Sequence, residues 1–426
     1  MVQKQIVEIR IDSVGRRGDG VGDWQGKPVF VPRALPGEVV RVRLEDDRDK
    51  GFSGRLVELV TASPERVAAP CPHYERCGGC SLQHWQIDSY HRWKIERVPL
   101  LLERAGIAVG EWKPPVFIPD HTRRRATLAA FVQNKTIRLG YHRARSHDIT
   151  DIPDCLILTP RLQAAVNALR PHLIKILTDS RPADVFIQDT GLAFDVMITG
   201  AVGSRKEPDM AGREAMADMA QACNLARLSW RARDRDEPEI ILQPAPVTKK
   251  IGPLRVDLPP GAFMQPSAEG EAALVNAALA PLKQAGVKRT ADLFSGCGTF
   301  SGPLLEFGSV HAAESEAASV EALRKAAKGT ALTAQERNLF ADPLNEKELA
   351  GFDAVLFDPP RMGAKEQAAQ LSRSKVPLVV GISCNPSTFT RDAGILQQGG
   401  YRLESMQIID QFVWSSHMEL VGIFRR

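Results

Sequence analysis

Apolar and polar residues alternate over Gln5 to Ile11, Lys27 to Val31, Glu38 to Leu44 and Gly54 to Val60, the period-two pattern of half-buried strands. Gly15, Gly18-Asp19-Gly20, Pro36-Gly37 and Asp46-Asp47 separate these runs as turn signals. Short, evenly spaced strands predict an OB-like β-barrel over residues 1–60. Ala62-Ser63-Pro64 to Pro70 reads as a linker, and Ser89 to Ala105 as an amphipathic helix with Tyr90, Trp93, Val98, Leu101 and Leu102 on its apolar side. Residues 160 to about 250 mix helix and strand without an interpretable motif. From about 256 strands and helices alternate: strands at Thr290 to Phe294, Val310 to Ala313, Asp353 to Phe357, Val376 to Ile382, Arg402 to Ile409 and Met418 to Phe424, and a helix at Phe300 to Glu306. That order predicts an α/β class, a doubly wound Rossmann-like sheet with its ligands at the carboxyl ends of the strands. The expected domains are a barrel over 1–60, a central α+β domain over 61–255 and the doubly wound domain over 256–426.

Composition narrows the class. The 426 residues are 43% hydrophobic and 25% charged, an ordinary globular balance. No stretch approaches the roughly 18 apolar residues of a membrane helix. Met1-Val2-Gln3-Lys4-Gln5-Ile6 has no apolar core for a signal peptide. A cytoplasmic protein without a membrane partner is the expectation. Seven cysteines in so long a chain then read as metal ligands, catalysts or core residues, not as a disulfide scaffold.

The net charge of +4 is mild, but its distribution is uneven. His121 to His147 holds no acid, while Arg123, Arg124, Arg125, Lys135, Arg138, Arg143 and Arg145 all fall there. Seven uncompensated positives, broken by the strand-like Thr127 to Val132, favour a phosphate-binding surface over a solvated face. Arg123, Arg124, Arg125, Arg143 and Arg145 are the expected RNA contacts.

Asp292-Leu293-Phe294-Ser295-Gly296-Cys297-Gly298-Thr299-Phe300-Ser301 lies at a strand-to-helix turn. Gly296 and Gly298 let the backbone approach a ligand. Ser301 stands where a dinucleotide fingerprint has its third small glycine position. Glu314, at the end of the next strand, can accept hydrogen bonds from both ribose hydroxyls. Together these features fit S-adenosylmethionine better than NAD. Asp358-Pro359-Pro360-Arg361 follows a later strand. Methyltransferases acting on exocyclic amines usually carry an aromatic residue after the prolines, and Arg361 in its place argues against adenine-N6 or cytosine-N4 chemistry.

Ser383-Cys384-Asn385-Pro386 ends another strand on the same edge. Most cysteines are inert core residues, but a strand-to-loop turn with polar neighbours favours access and reactivity. A thiol is needed when the target carbon is not nucleophilic, as carbon 5 of a pyrimidine is not. Thiolate addition at carbon 6 makes carbon 5 an enolate nucleophile, and a base must afterwards remove the carbon-5 proton. Cytosine-specific RNA enzymes of this kind generally carry a cysteine beside the proline of the Asp358-type motif. None is present here, so uracil is the better target. Glu419 alternates with Met418 and Leu420 at the start of the last strand, and by periodicity alone it reads as a surface residue.

At these residues the chain resembles the RNA 5-methyluridine methyltransferases, in particular the bacterial 23S rRNA uridine-C5 enzymes. The likeness runs along nearly the whole chain. It implies a class I methyltransferase domain, with the first 60 residues similar to a TRAM domain, the family's RNA-binding barrel. Phe263-Met264-Gln265 resembles the family's F-x-Q motif, in which the glutamine contacts S-adenosylmethionine. The resemblance further implies cofactor contacts at Gln265, Phe294, Gly296, Gly298, Thr299, Glu314, Asn338 and Asp358. It implies that Cys384 is the nucleophile and, against the periodicity, that Glu419 is the base. Two departures are Ser267 and Thr299, where the family usually has asparagine. Cys71, Cys77, Cys80 and distant Cys155 suit either structural zinc, with His73 and His84 nearby, or an iron–sulfur cluster. Spacing leaves these even, and the resemblance implies a [4Fe–4S] cluster. The expected protein is a monomer acting on RNA, with 23S rRNA ahead of tRNA. A non-catalytic RNA-binding protein would not need Cys384, Glu419 and Gln265. A radical iron–sulfur enzyme would have a different cysteine spacing.

Overall fold

The computed structural model describes residues 5–48, 51–203 and 207–426, with the side chains of residues 46–48 left aside. The N-terminal reading, which rests on residues 1–4, lies outside the described residues. Contact clustering divides the chain into two units.

The first unit comprises Met1–Arg97, Tyr141–Thr150 and Trp414–His417. Val7, Ile9 and Ile11 are buried on alternate positions of the strand Ile6–Val14, and meet Val29, Val31, Val40, Val42 and Leu44 in one apolar core. Five strands close around that core as a barrel: Ile6–Val14, Gly20–Trp24, Lys27–Val31, Gly51–Thr61 and Val39–Arg48, in that spatial order. Two local expectations fail. The chain is a strand over Gly20–Trp24, where Gly20 had read as part of a turn. Its glycines serve strand approach, since a Cβ on Gly22 would fall 2.2 Å from the Arg10 carbonyl oxygen. Asp46-Asp47 likewise lies inside a strand that runs to Arg48. The expected linker after the barrel is pinned to it. Arg66 donates to both carboxylate oxygens of buried Glu38, at 2.5 and 2.8 Å. Burial alone would raise the Glu38 pKa, but the Arg66 contact and the Leu35 and Ser63 amides outweigh it and lower it.

The second unit comprises Val98–Gly140, Asp151–Val413 and Met418–Arg426. A seven-stranded sheet has Arg125–Gln133, Pro182–Asp189 and Phe194–Gly200 at its middle. The nine-stranded sheet carries the candidate site. Its main order is Leu332–Glu336, Ser309–Glu314, Arg289–Leu293, Ala354–Phe357, Leu378–Ser383, Glu419–Arg425, Arg402–Asp410 and Val109–Trp112, with Val116–Phe117 also pairing Arg402–Asp410. The first five run parallel, and Glu419–Arg425 is antiparallel to both neighbours. Every residue of Ala354–Phe357 and Leu378–Ser383 is buried, as expected of parallel strands covered on both faces. The edge strand Val109–Trp112 comes from far upstream, just after the helix Ile87–Arg104. The expected helix at Phe300 to Glu306 is a single turn, Ser301–Leu304. Among the described residues, no helix is long and apolar enough to cross a membrane.

Candidate active site

The strand Arg289–Leu293 delivers Asp292 and Leu293 to the carboxyl edge, and the chain then turns through left-handed backbone at Phe294 (φ 61°), Gly296 (φ 52°) and Gly298 (φ 92°). A Cβ at Gly298 would meet Leu323 at 2.7 Å, whereas one at Gly296 would meet nothing within 4 Å. The space beside Gly296 is open. Glu314 braces the loop, as one carboxylate oxygen accepts from the Gly296 N–H at 3.0 Å and the other from the Ser315 and Glu316 N–H groups. Asp292 is wholly buried and accepts from the Ser301 hydroxyl, which gives Ser301 a function other than a glycine's. Burial, aided by the nearby Asp358 and Glu314 carboxylates, pushes Asp292 up to about 7. Asp292 Oδ1 and Ser295 Oγ are buried without a hydrogen-bond partner. Such orphans are costly, and they border a loop with open space, so these residues fit a polar ligand such as S-adenosylmethionine.

The remaining expected cofactor residues differ in their surroundings. Thr299 is half-buried. Cys297 is buried, and burial pushes its thiol up to about 11. Asn338 is exposed, and its side chain accepts from the Phe340 N–H at 3.1 Å. Phe340 in turn lies 5.4 Å from the Phe294 ring. Asn338 thus shapes a turn that sets an aromatic neighbour beside the loop. Ser267 caps the helix Ala268–Ala285 by accepting from the Gly270 N–H.

Cys384 and Glu419 are brought together by strand register. Ser383 pairs with Leu420 in the antiparallel ladder, which sets the next residue of one strand opposite the first of the other. Ser383 Oγ accepts from the Asn385 N–H, and Asn385 caps the helix Pro386–Gln398, so the turn after Cys384 is tightly held. The Asn385 amide also donates to the Arg361 carbonyl at 3.1 Å. Burial, then the Glu419 and Asp358 carboxylates, push the Cys384 thiol up to about 11, against the opposing pull of Arg361. Glu419 is 5% exposed. Burial and the Asp358 charge raise its pKa, and burial raises that of Asp358. At rest the site is therefore a protonated thiol among carboxyls that resist ionisation.

One side chain at this edge was not singled out from the sequence. Gln411 is 7% exposed, and its amide nitrogen donates to Gln265 Oε1 at 2.8 Å and, at a long 3.5 Å, to Glu419 Oε1. Gln265 Nε2 lies 3.4 Å from Asp358 Oδ2. The only signal was a polar Asp410-Gln411 pair directly after the apolar Ile408-Ile409.

The basic segment does not hold seven uncompensated charges, because acids from elsewhere in the chain meet three of them. Arg124 pairs with Glu271 at 2.6 Å and donates to the Gln265 carbonyl at 3.1 Å. Arg143 lies 3.8 Å from Asp148, and Arg145 lies 3.1 Å from Asp19. Arg125 is stacked on Phe263, 4.3 Å from the ring centre, and burial pulls its pKa down to about 10. Arg123 donates to the Arg125 carbonyl. A sequence window without acids says nothing of the acids that folding brings to it.

Cys71, Cys77, Cys80 and Cys155 are half-buried and form no disulfide. The Gly79 N–H donates to Cys77 Sγ at 3.3 Å, a contact suited to a thiolate ligand. Among the described residues, however, no three His, Cys, Asp or Glu side chains are grouped so as to hold a metal ion.

The strand order, the antiparallel final pair and the braced glycine loop define a class I methyltransferase. The family model for tRNA (Uracil-5-)-methyltransferase matches residues 251–426, and that for the TRAM domain matches residues 3–57. An uncharacterized RNA methyltransferase from Brucella suis is 40% identical over 100% of this chain and 99% of its own length. A 23S rRNA (uracil(1939)-C(5))-methyltransferase from Shewanella piezotolerans is 30% identical over 98% of this chain and 95% of its own length. The crystal structure of Pyrococcus abyssi tRNA (uracil-54, C5)-methyltransferase in complex with S-adenosyl-L-homocysteine superposes with a TM-score of 0.72, covering 98% of this chain and 99% of that one at 22% identity, and so shares its fold. The chain belongs to the RNA uracil-5-methyltransferase family and carries a TRAM domain.

Proposed function

We propose that this enzyme methylates carbon 5 of a uridine in 23S rRNA, in the cytoplasm and as a monomer, with S-adenosylmethionine as methyl donor. The observation that carries the chemistry is the juxtaposition of Cys384 and Glu419 across the paired strands Leu378–Ser383 and Glu419–Arg425. Bound S-adenosylmethionine supplies an electrophilic methyl group. Phe294, Gly296, Gly298, Thr299, Glu314, Asn338, Asp358 and Gln265 frame its place. Cys384 loses its proton and its sulfur bonds to carbon 6, sending the ring electrons towards the carbon-4 oxygen. Carbon 5 then takes the methyl carbon, and the sulfonium sulfur keeps the bonding pair. Glu419 accepts the carbon-5 proton. The electrons of that C–H bond re-form the ring double bond, and the Cys384 sulfur leaves with its own pair. A positive sulfonium beside Cys384 would oppose the carboxylates that hold the thiol protonated.

The relative from Shewanella piezotolerans, similar over almost the full length, favours 23S rRNA. Arg123, Arg125, Arg143 and Arg145 are proposed to meet RNA phosphates. The family resemblance also supports a [4Fe–4S] cluster on Cys71, Cys77, Cys80 and Cys155, in a structural or RNA-positioning role.

Two variants test the roles. Cys384→Ala should abolish methylation and give no covalent RNA–protein species, because carbon 5 never becomes nucleophilic. Glu419→Gln should transfer the methyl group and then stall, leaving an RNA–protein band on a denaturing gel that maps to Cys384. Normal turnover by Glu419→Gln would overturn the assignment. Mapping 5-methyluridine in rRNA and tRNA from cells with and without the gene tests the substrate.

A further inference from the structure

Gln411 follows the strand Arg402–Asp410, and its side chain lies between two residues of the proposed reaction. Its amide nitrogen reaches Gln265 Oε1 at 2.8 Å and Glu419 Oε1 at 3.5 Å. Its own Oε1 is buried with no hydrogen-bond partner. That oxygen is directed at the start of the helix Ala268–Ala285, for a Cβ on Gly270 would lie 2.3 Å from it. With Glu419 ionised, as a base must be, the opposite amide orientation would set Gln411 Oε1 against the oxygens of Gln265 and Glu419, three acceptors with no donor among them. The amide is therefore held one way round, at the expense of an unsatisfied oxygen, and an enzyme gains nothing from such an orphan unless the donor end is needed.

We propose that Gln411 is a positioning residue, whose single NH2 group ties the cofactor-side Gln265 to the base Glu419 and fixes which carboxylate oxygen receives the carbon-5 proton. Holding Gln265 Oε1 turns the other end of that amide, Nε2, towards Asp358. Glu419 Oε1 is engaged by the same NH2 group, while Oε2 makes no hydrogen bond to a described residue. Oε2 is the oxygen left to act. The groups facing Glu419 are Asp358 and Cys384, which end the two neighbouring parallel strands, and Arg361. None of these can replace Gln411 as a neutral donor. The role rests on the reading of Glu419 as base given above.

Gln411→Met keeps the length of the side chain and removes the donor. It should raise KM for S-adenosylmethionine and lower kcat by roughly tenfold, the equivalent of one hydrogen bond to a charged or reacting group. Because the Gln411 contact lowers the Glu419 pKa, the acid limb of kcat against pH should move to higher pH. The slowed proton removal should leave a covalent RNA–protein species during turnover. Gly270→Ala reaches the same point from behind, placing a methyl group against Gln411 Oε1 and against the capping Ser267 hydroxyl without altering any reacting group, and should show the same three changes more weakly. If Gln411→Met does not stay folded, as read by its melting, Gly270→Ala decides the question by the same readouts. A parental acid limb with no trapped species, in whichever variant decides, overturns the role of Gln411. Glu419→Gln assayed alongside separates the two failures: if it stalls while Gln411→Met does not, only Gln411 is misassigned, and if it turns over normally, the base itself is.

Discussion

Arg124 stands in a run of positive charge, yet its guanidinium is 13% exposed, paired with Glu271 and hydrogen-bonded to the Gln265 carbonyl. Lys249 meets the same Glu271 oxygen. The Arg124 N–H also donates to the Pro266 carbonyl. Such a residue holds the backbone of the Gln265 segment and has little left for a phosphate. Arg124→Met should weaken S-adenosylmethionine binding about tenfold, in line with hydrogen bonds to a charged group, while the salt slope of RNA binding stays as in the parent. Calorimetry of cofactor binding and an RNA-binding salt titration check both parts. A slope reduced by about 0.7 with unchanged cofactor affinity would return Arg124 to the phosphate contacts. The places of Cys384 and of the glycine loop at the carboxyl edge of the sheet were legible from residue order, because both follow buried apolar runs. Arg124 and Gln411 were not, since their meaning lies in partners more than a hundred residues away.

Among the elements, most strand positions of the nine-stranded sheet were readable as buried apolar runs. Strands that were missed, in the barrel as in this sheet, have separate causes. Gly20–Trp24 looks like a turn because its glycines permit close strand approach, and Val109–Trp112 is short, with three of its four residues exposed. The segment after the barrel looked like a linker because its anchors, that of Arg66 on Glu38 foremost, are contacts to residues distant in sequence. That anchor can be weighed. Glu38 is buried, and removing its charge leaves Arg66 without its partner, a loss of roughly 3 kcal/mol when a buried pair is broken. Glu38→Gln should therefore speed amide exchange of the barrel strands at neutral pH. The sign with pH follows from the lowered pKa of Glu38 in the folded state. Its stabilisation is complete above the ordinary carboxylate pKa near 4.5 and is lost as the pH falls through the folded value. The gap between parent and variant should close on acidification, and a gap that widens would show that Arg66 does not act through the charge of Glu38.

At the scale of the whole molecule, the cysteine set carries the last open expectation. Cys71, Cys77 and Cys80 lie within one short stretch and Cys155 far beyond it. A bond network joining them would close a long loop and so restrict the unfolded chain. None of the four forms a disulfide, and the Gly79 N–H faces Cys77 Sγ. Thiols must lose their protons to bind metal, so loading such a set would release protons. Protein prepared without oxygen should be brown and contain iron and sulfide, and Cys155→Ser should lose both while a fluorescent S-adenosylmethionine analogue still binds. Melting temperature offers a readout independent of activity: a group that binds only the folded chain raises it, so loss of iron in air should lower it and anaerobic reconstitution restore it. Anaerobic protein holding zinc and no iron would overturn the cluster and return the site to the structural-zinc alternative.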